Sequence, residues 1–107
     1  MTSTEAVAYI YMWEYLVDPE KVAEFERAYG PAGTWVDLFR RAEGYIRSEL
    51  YRDRTNPIRF VSIDYWRTAS DWESFRAQFS AEFEALDDRC EAMTTLEHEI
   101  GRFAEIQ

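Results

Sequence analysis

Residues 7 to 17, Val-Ala-Tyr-Ile-Tyr-Met-Trp-Glu-Tyr-Leu-Val, are dense in aromatic and β-branched side chains and predict a first strand. The period then changes. After Asp18-Pro19-Glu20, Val22, Phe25 and Tyr29 fall at i, i+3 and i+7, one face of a helix. Asp18 is placed to accept from its free N–H groups, and Pro19 suits its first turn. Gly30-Pro31-Ala32-Gly33 breaks that helix. Thr34 can cap a second, short one lined by Trp35, Leu38, Phe39 and Ala42, with Gly44 placed to end it at positive φ. Residues 45 to 53 and 58 to 67 predict two strands, and the turn chemistry of Asp53-Arg54-Thr55-Asn56-Pro57 makes them a hairpin. Ser70-Asp71-Trp72-Glu73 has capping-box spacing. Trp72, Phe75, Phe79, Phe83, Leu86 and Cys90 follow as a narrow apolar stripe along one long helix. Thr94 to Ile106 predicts a last strand.

The order β-α-(α)-β-β-α-β is that of the α+β, ferredoxin-like split βαβ fold: a four-stranded antiparallel sheet with helices on one face, here as one domain over residues 1–107. A sheet covered on one side should alternate apolar and polar residues. The first strand does not: Tyr9, Tyr11, Trp13, Tyr15 and Val17 share one face, and Ala8, Ile10, Met12, Glu14 and Leu16 share the other. The third strand sets Phe60, Ser62, Asp64 and Trp66 against Val61, Ile63 and Tyr65. Helices cover one face only, so the other needs a second cover, and the simplest is the same face of another copy, giving a homodimer.

Composition narrows the function classes. Twelve basic against 21 acidic side chains leave a net charge of −9, which repels nucleic-acid backbones and anionic lipid. The 47 % hydrophobic content supports a real core, and 17 % aromatic residues point to a cavity or a large interface. Cys90 is the sole cysteine, so no internal disulfide forms, and a reducing compartment is expected. The polar start Met1 to Ala6 is unlike a signal peptide, and no run reaches the ~20 apolar residues of a membrane span. A cytoplasmic protein is expected.

Several segments taken together resemble the antibiotic biosynthesis monooxygenase family. These are Trp13-Glu14-Tyr15-Leu16-Val17-Asp18-Pro19-Glu20 with Phe25 on the next helix, Gly44-Tyr45 opening the second strand, and Ile63-Asp64-Tyr65-Trp66-Arg67-Thr68 ending the third before a helix with Phe75 and Phe79. The resemblance implies a dimeric α/β barrel with a pocket between sheet and helices in each protomer. It also implies a small aromatic or polyketide-like substrate and O₂, in a cofactor-independent monooxygenase. Some members of that family bind and degrade haem instead, using a histidine on the second long helix and an asparagine near the end of the first strand. Residues 70 to 91 hold no histidine, and Trp13-Glu14-Tyr15 holds no asparagine, so haem degradation stays as a third reading that needs a different ligand, a tyrosinate or His98.

Oxygenation without a cofactor needs a base to make the substrate electron-rich, donors to steady the anion and a dry cavity. Asp64 is the first candidate base, because a partly buried carboxylate has its pKa raised. The competing reading pairs it with an arginine such as Arg47. His98, the only histidine, is the second candidate acid or base. Its flanking Glu97 and Glu99 point away from it on a strand, so the triplet makes a poor metal site, and no metal is expected. Tyr11, Trp13, Tyr15, Trp35, Phe39, Trp66, Phe75 and Phe79 are the candidate substrate-binding walls. Asp87, Asp88 and Glu91 read as a solvated face, Arg40-Arg41 as favourable charge at a helix C-terminus, and Cys90 as a buried thiol. The alternative function is a non-catalytic binding or structural dimer whose core is packed solid by Trp35, Phe39, Phe75 and Phe79. A cavity of roughly 300 Å³ or more would separate the two readings.

Overall fold

A computed structural model describes residues 8–106; the polar start Met1 to Ala6, the predicted strand residue Val7 and the terminal Gln107 lie outside the described residues. Four strands, β1 (Tyr9–Val17), β2 (Tyr45–Arg52), β3 (Arg59–Trp66) and β4 (Thr94–Ala104), form one antiparallel sheet in the order β2-β3-β1-β4. The helices are α1 (Val22–Tyr29), α2 (Thr34–Phe39), α3 (Ala69–Gln78) and α4 (Ser80–Glu91). This is the α+β, ferredoxin-like arrangement the pattern predicts. None of these helices is long and apolar enough to cross a membrane.

Asp18 accepts from the Glu20 N–H at 3.0 Å and opens a short 3₁₀ turn, Pro19–Lys21, that leads into α1. The hairpin turn forms as predicted, with Asp53 accepting from the Thr55 N–H and hydroxyl. Three cap and boundary expectations are corrected. Gly33 rather than Thr34 stands at the N-cap of α2, and Thr34 is already helical. The cap of α3 is Thr68, whose hydroxyl accepts from the Asp71 N–H at 3.0 Å; Ser70 lies inside the helix, so the box with Glu73 does not form. The single helix predicted over 70–91 breaks at Phe79, which leaves helical geometry at φ −110°, ψ 29°. The stripe survives the break: Trp72, Phe75, Phe79, Leu86 and Cys90 are buried.

Gly44 does take positive φ (92°), but it follows a turn after α2 has ended at Phe39. Its carbonyl accepts from Arg67 N–H at 2.7 Å, and a Cβ there would collide with the Asp71 side chain.

The helices cover the face carrying Tyr11, Tyr15, Val17, Phe60, Ser62 and Trp66, all buried. Phe25 packs with Tyr15, Tyr29 and Phe60, its ring 4.2 Å from that of Tyr29. Trp66 packs with Phe39, Tyr45, Trp72 and Phe75. The opposite face is partly open and mixed: an apolar patch lies beside the Arg59–Glu14 and Arg47–Glu49 ion pairs. Ile10, Met12, Leu16, Val61 and Ile63 are half-buried there, while Leu96 and Phe103 of β4 are 43 % and 45 % exposed.

Two of the sheet's three register shifts decide which side chains face the cavity; the third skips Thr95 at the start of β4. In β2 the extra residue is Ile46: Tyr45 lies opposite Trp66 and Arg47 opposite Tyr65. In β4 the extra residue is Ile100, between Glu99 opposite Trp13 and Gly101 opposite Met12. Each bulge reverses the alternation that follows it.

Candidate functional site

Between the sheet and the helices lies a cavity of about 560 Å³. Its floor is the inward row of β1 (Tyr11, Trp13, Tyr15), Ser62 and Asp64 of β3, and Ser48 of β2. Tyr29, Trp35, Phe39, Trp72 and Phe83 from the helices wall it. Asp87 and Glu91 of α4 and Glu97 of β4 are exposed residues at its edge. The rings brace one another: Tyr11 meets Trp72 edge-on at 5.2 Å, and Trp35 meets Phe83 at 5.0 Å. Stiff side chains with two soft torsions each keep such a space open at little entropic cost.

Asp64 is the one carboxylate on this floor. Cross-strand pairing places it opposite Tyr11 on one side and Ser48 on the other. The Ser48 hydroxyl donates to its Oδ1 at 2.6 Å. Burial pushes its carboxyl up from 3.8 to about 6, and the Ser48 hydrogen bond opposes that rise only in part. The predicted alternative, an ion pair with Arg47, is absent. Arg47 lies on the outer face, where it pairs with Glu49 at 3.3 Å and covers the Tyr65 ring at 3.9 Å.

Two buried hydroxyls lie beside it. Tyr15 Oη and Ser62 Oγ are 3.0 Å apart, and either can donate. Two O–H groups sharing one hydrogen bond leave one proton for a cavity ligand. Tyr11 is committed elsewhere: it donates to Glu99 at 3.1 Å and accepts from Arg102 at 3.0 Å. Burial holds Tyr11, Tyr15 and Tyr29 protonated, with pKa raised in each case.

The structure therefore brings Asp64, Tyr11, Trp13, Tyr15, Trp35 and Phe39 of the predicted site together. It places Trp66, Phe75 and Phe79 in the packed core rather than on the cavity wall. Trp66 is fully buried, and its indole N–H has no hydrogen-bond partner among the described residues. His98 is not brought to the cavity. It is exposed on β4 opposite Glu14, on the outer face, because its neighbours Glu97 and Glu99 occupy the inward positions.

Tyr29, Val36, Ser48, Ser62, Trp72, Arg76, Phe83 and Arg102 also line the cavity and are not among the predicted walls. Ser62 was legible, since it alternates with Phe60 and Asp64. Ser48 and Arg102 were not, because their inward direction depends on the bulges at Ile46 and Ile100. Asp87 and Glu91, read as a solvated face, are exposed but also border the cavity. Arg76 lies over the Phe83 ring at 3.9 Å. Cys90 is buried, as expected.

Among the described residues no group of three or more His, Cys, Asp or Glu side chains could hold a metal ion. Nor do the residues lining the cavity suit a haem iron. They include no imidazole or thiol, and their buried tyrosines are held in the protonated form.

The sequence from residue 8 to 89 matches the model of the antibiotic biosynthesis monooxygenase family. The chain belongs to that family. Among solved structures it resembles a point mutant of SnoaB, a cofactor-independent oxygenase from Streptomyces nogalater. The TM-score is 0.79 and the identity 23 %, with 94 % of each chain covered. It also resembles a candidate antibiotic biosynthesis monooxygenase from Bordetella bronchiseptica (TM-score 0.72, 22 % identity, 94 % of this chain and 97 % of that one). A third likeness is to a conserved protein from Methanosarcina mazei (TM-score 0.69, 17 % identity, 96 % and 93 % covered). At these identities the likenesses establish the fold. No curated protein matches the chain. Membership of the family supports a monooxygenase acting on a small molecule with oxygen, and leaves the substrate open.

Proposed function

We propose that this family member is a cofactor-independent monooxygenase that oxidises an electron-rich, polyketide-like phenol, with Asp64 as the general base. The observation that carries the reading is a carboxyl group poised at about 6 on the floor of an aromatic cavity of about 560 Å³. A base poised near neutrality is ionised at pH 7 yet still takes a proton readily. The Ser48 hydroxyl engages Oδ1, which leaves Oδ2 to receive the phenolic proton. The phenolate so formed gives an electron to O₂ far more readily than the phenol does. The spare proton of the Tyr15–Ser62 pair steadies the phenolate oxygen. With no cofactor, the substrate must supply all four electrons that O₂ accepts. A ring CH₂ conjugated to the phenol meets that need: it becomes C=O with one oxygen atom, and the other leaves as water. The reading includes a homodimer formed through the apolar outer face of the sheet.

The test is oxygen uptake with hydroxylated anthrones, comparing the wild type with Asp64→Asn. The expected result is turnover without added metal or cofactor and a loss of roughly 100-fold or more in the variant. Quenching of tryptophan fluorescence by the same compounds without oxygen uptake would instead make the chain a binding protein. Equal rates in both proteins would remove Asp64 from the chemistry.

A further inference from the structure

Asp64 is approached from β2 by a directed chain of hydroxyls. As a carboxylate it can only accept, so the 2.6 Å contact commits the Ser48 proton to Oδ1. Ser48 Oγ then has only lone pairs left, and the 2.8 Å contact with Tyr45 must be a donation from the Tyr45 hydroxyl. The Tyr45 ring is itself gripped, 5.3 Å from Trp66 and 5.5 Å from Phe39. Tyr45 and Ser48 are three residues apart on a strand and would face opposite ways in a regular ladder. The bulge at Ile46 turns both inward, so the chain exists only because the strand is irregular at that residue.

We propose that Ser48, oriented by Tyr45, is the positioning residue for Asp64, tying down Oδ1 so that Oδ2 is presented to the cavity. The inference rests on the reading of Asp64 as the base for its catalytic meaning, but not for its geometry. The other titratable groups around Asp64 are Tyr11 and Tyr15 from β1, Tyr29 from α1, Arg76 from α3, Asp87 and Glu91 from α4, and Glu97 and Arg102 from β4. None of them hydrogen-bonds to it; burial raises its carboxyl and the Ser48 hydrogen bond lowers it. A change at Ser48 therefore acts on Asp64 without a competing partner to mask it.

The experiment follows the Asp64 carboxyl directly, by ¹³C NMR of protein labelled at aspartate, with Asp64→Asn assigning the resonance. Removing a donor that favours the charged form raises the midpoint. Ser48→Ala should titrate about one pH unit above wild type, Ser48→Thr should restore the wild-type midpoint, and Tyr45→Phe should give a smaller rise in the same direction. An unchanged midpoint in a folded Ser48→Ala protein overturns the proposal, and an unchanged midpoint in Tyr45→Phe overturns the part assigned to Tyr45. Oxygen uptake with a hydroxylated anthrone separates the two ideas. If the acid limb of the pH–rate profile moves with the NMR midpoint, both stand. If the midpoint moves and the limb does not, the positioning stands and Asp64 is not the base.

Discussion

At the scale of single residues, the carboxylates of this chain show how environment sets chemistry. Asp53 sits in the hairpin turn, takes two hydrogen bonds from Thr55 and one from Arg59, and is held down at about 2. Asp64 has one donor and little water, and is held up at about 6. A group whose folded pKa lies above its unfolded value favours the protonated chain. Between about pH 4 and 6 the folded protein keeps a proton that the unfolded chain has released, so this residue lowers stability as pH rises through that window. Asp64→Asn removes the penalty and keeps an acceptor for Ser48. We expect the variant to be more stable than wild type by about 1–3 kcal/mol at pH 8, with the gap closing near pH 4. Urea unfolding of both proteins at the two pH values checks this. A gap of the same size at both would mean that the Asp64 charge is well solvated. A variant that gains stability while losing turnover would fit a base kept at the expense of the fold.

At the scale of elements, the ends of helices and the irregularities of strands were harder to read than their middles. Thr68-Ala69-Ser70-Asp71 and Ser70-Asp71-Trp72-Glu73 both have the spacing of a helix start. What selects Thr68 is where β3 ends. Trp66 is the last ladder residue, and Arg67 pairs with Asp71 at 2.8 Å across the first turn, so the helix begins as early as it can. Thr68→Ala should therefore cost about 1 kcal/mol in denaturant unfolding. Ser70→Ala should stay within about 0.5 kcal/mol of wild type, and the reverse ranking would restore the box at Ser70. Gly44→Ala places a side chain at positive φ and drives its Cβ into Asp71. It should cost more than about 1 kcal/mol, and a thermal melt unchanged from wild type would show that the loop can move aside.

At the scale of the whole molecule, the proposed homodimer rests on the outer sheet face. Ile10, Met12, Leu16, Val61 and Ile63 lie half-buried across its centre, and Leu96 and Phe103 extend it along β4. Apolar surface of this kind on a sheet is a place for a second copy to dock. Light scattering is expected to give twice the chain mass of 12.7 kDa. Ile63→Lys, which sets a charge in the middle of that face, should weaken the dimer by roughly 100-fold, about 3 kcal/mol. Because each copy carries −9, the copies repel at a distance, and association should strengthen as salt is added. A wild-type chain that is monomeric at high salt would refute the homodimer.

The sequence by itself determined the class of fold. Periods of two and 3.6 residues and turn chemistry are local signals, written in neighbouring side chains, and they placed β1, α1, the hairpin, the long stripe and β4. Alternation within β3 also put Asp64 on one face with Phe60, Ser62 and Trp66, but both faces of β1 are apolar, so it did not say which face the helices cover. The tertiary structure alone decided what depends on residues distant in sequence. A bulge is a relation between two strands, so no local pattern announces that Ile46 and Ile100 turn Ser48 and Arg102 inward. Which aromatics wall the cavity and which fill the core is likewise a matter of packing: Trp35 and Phe39 border open space, while Trp66, Phe75 and Phe79 do not, though all five belong to the same apolar class. Burial raises the Asp64 carboxyl for the same reason, because only the assembled sheet and helices take water away from it.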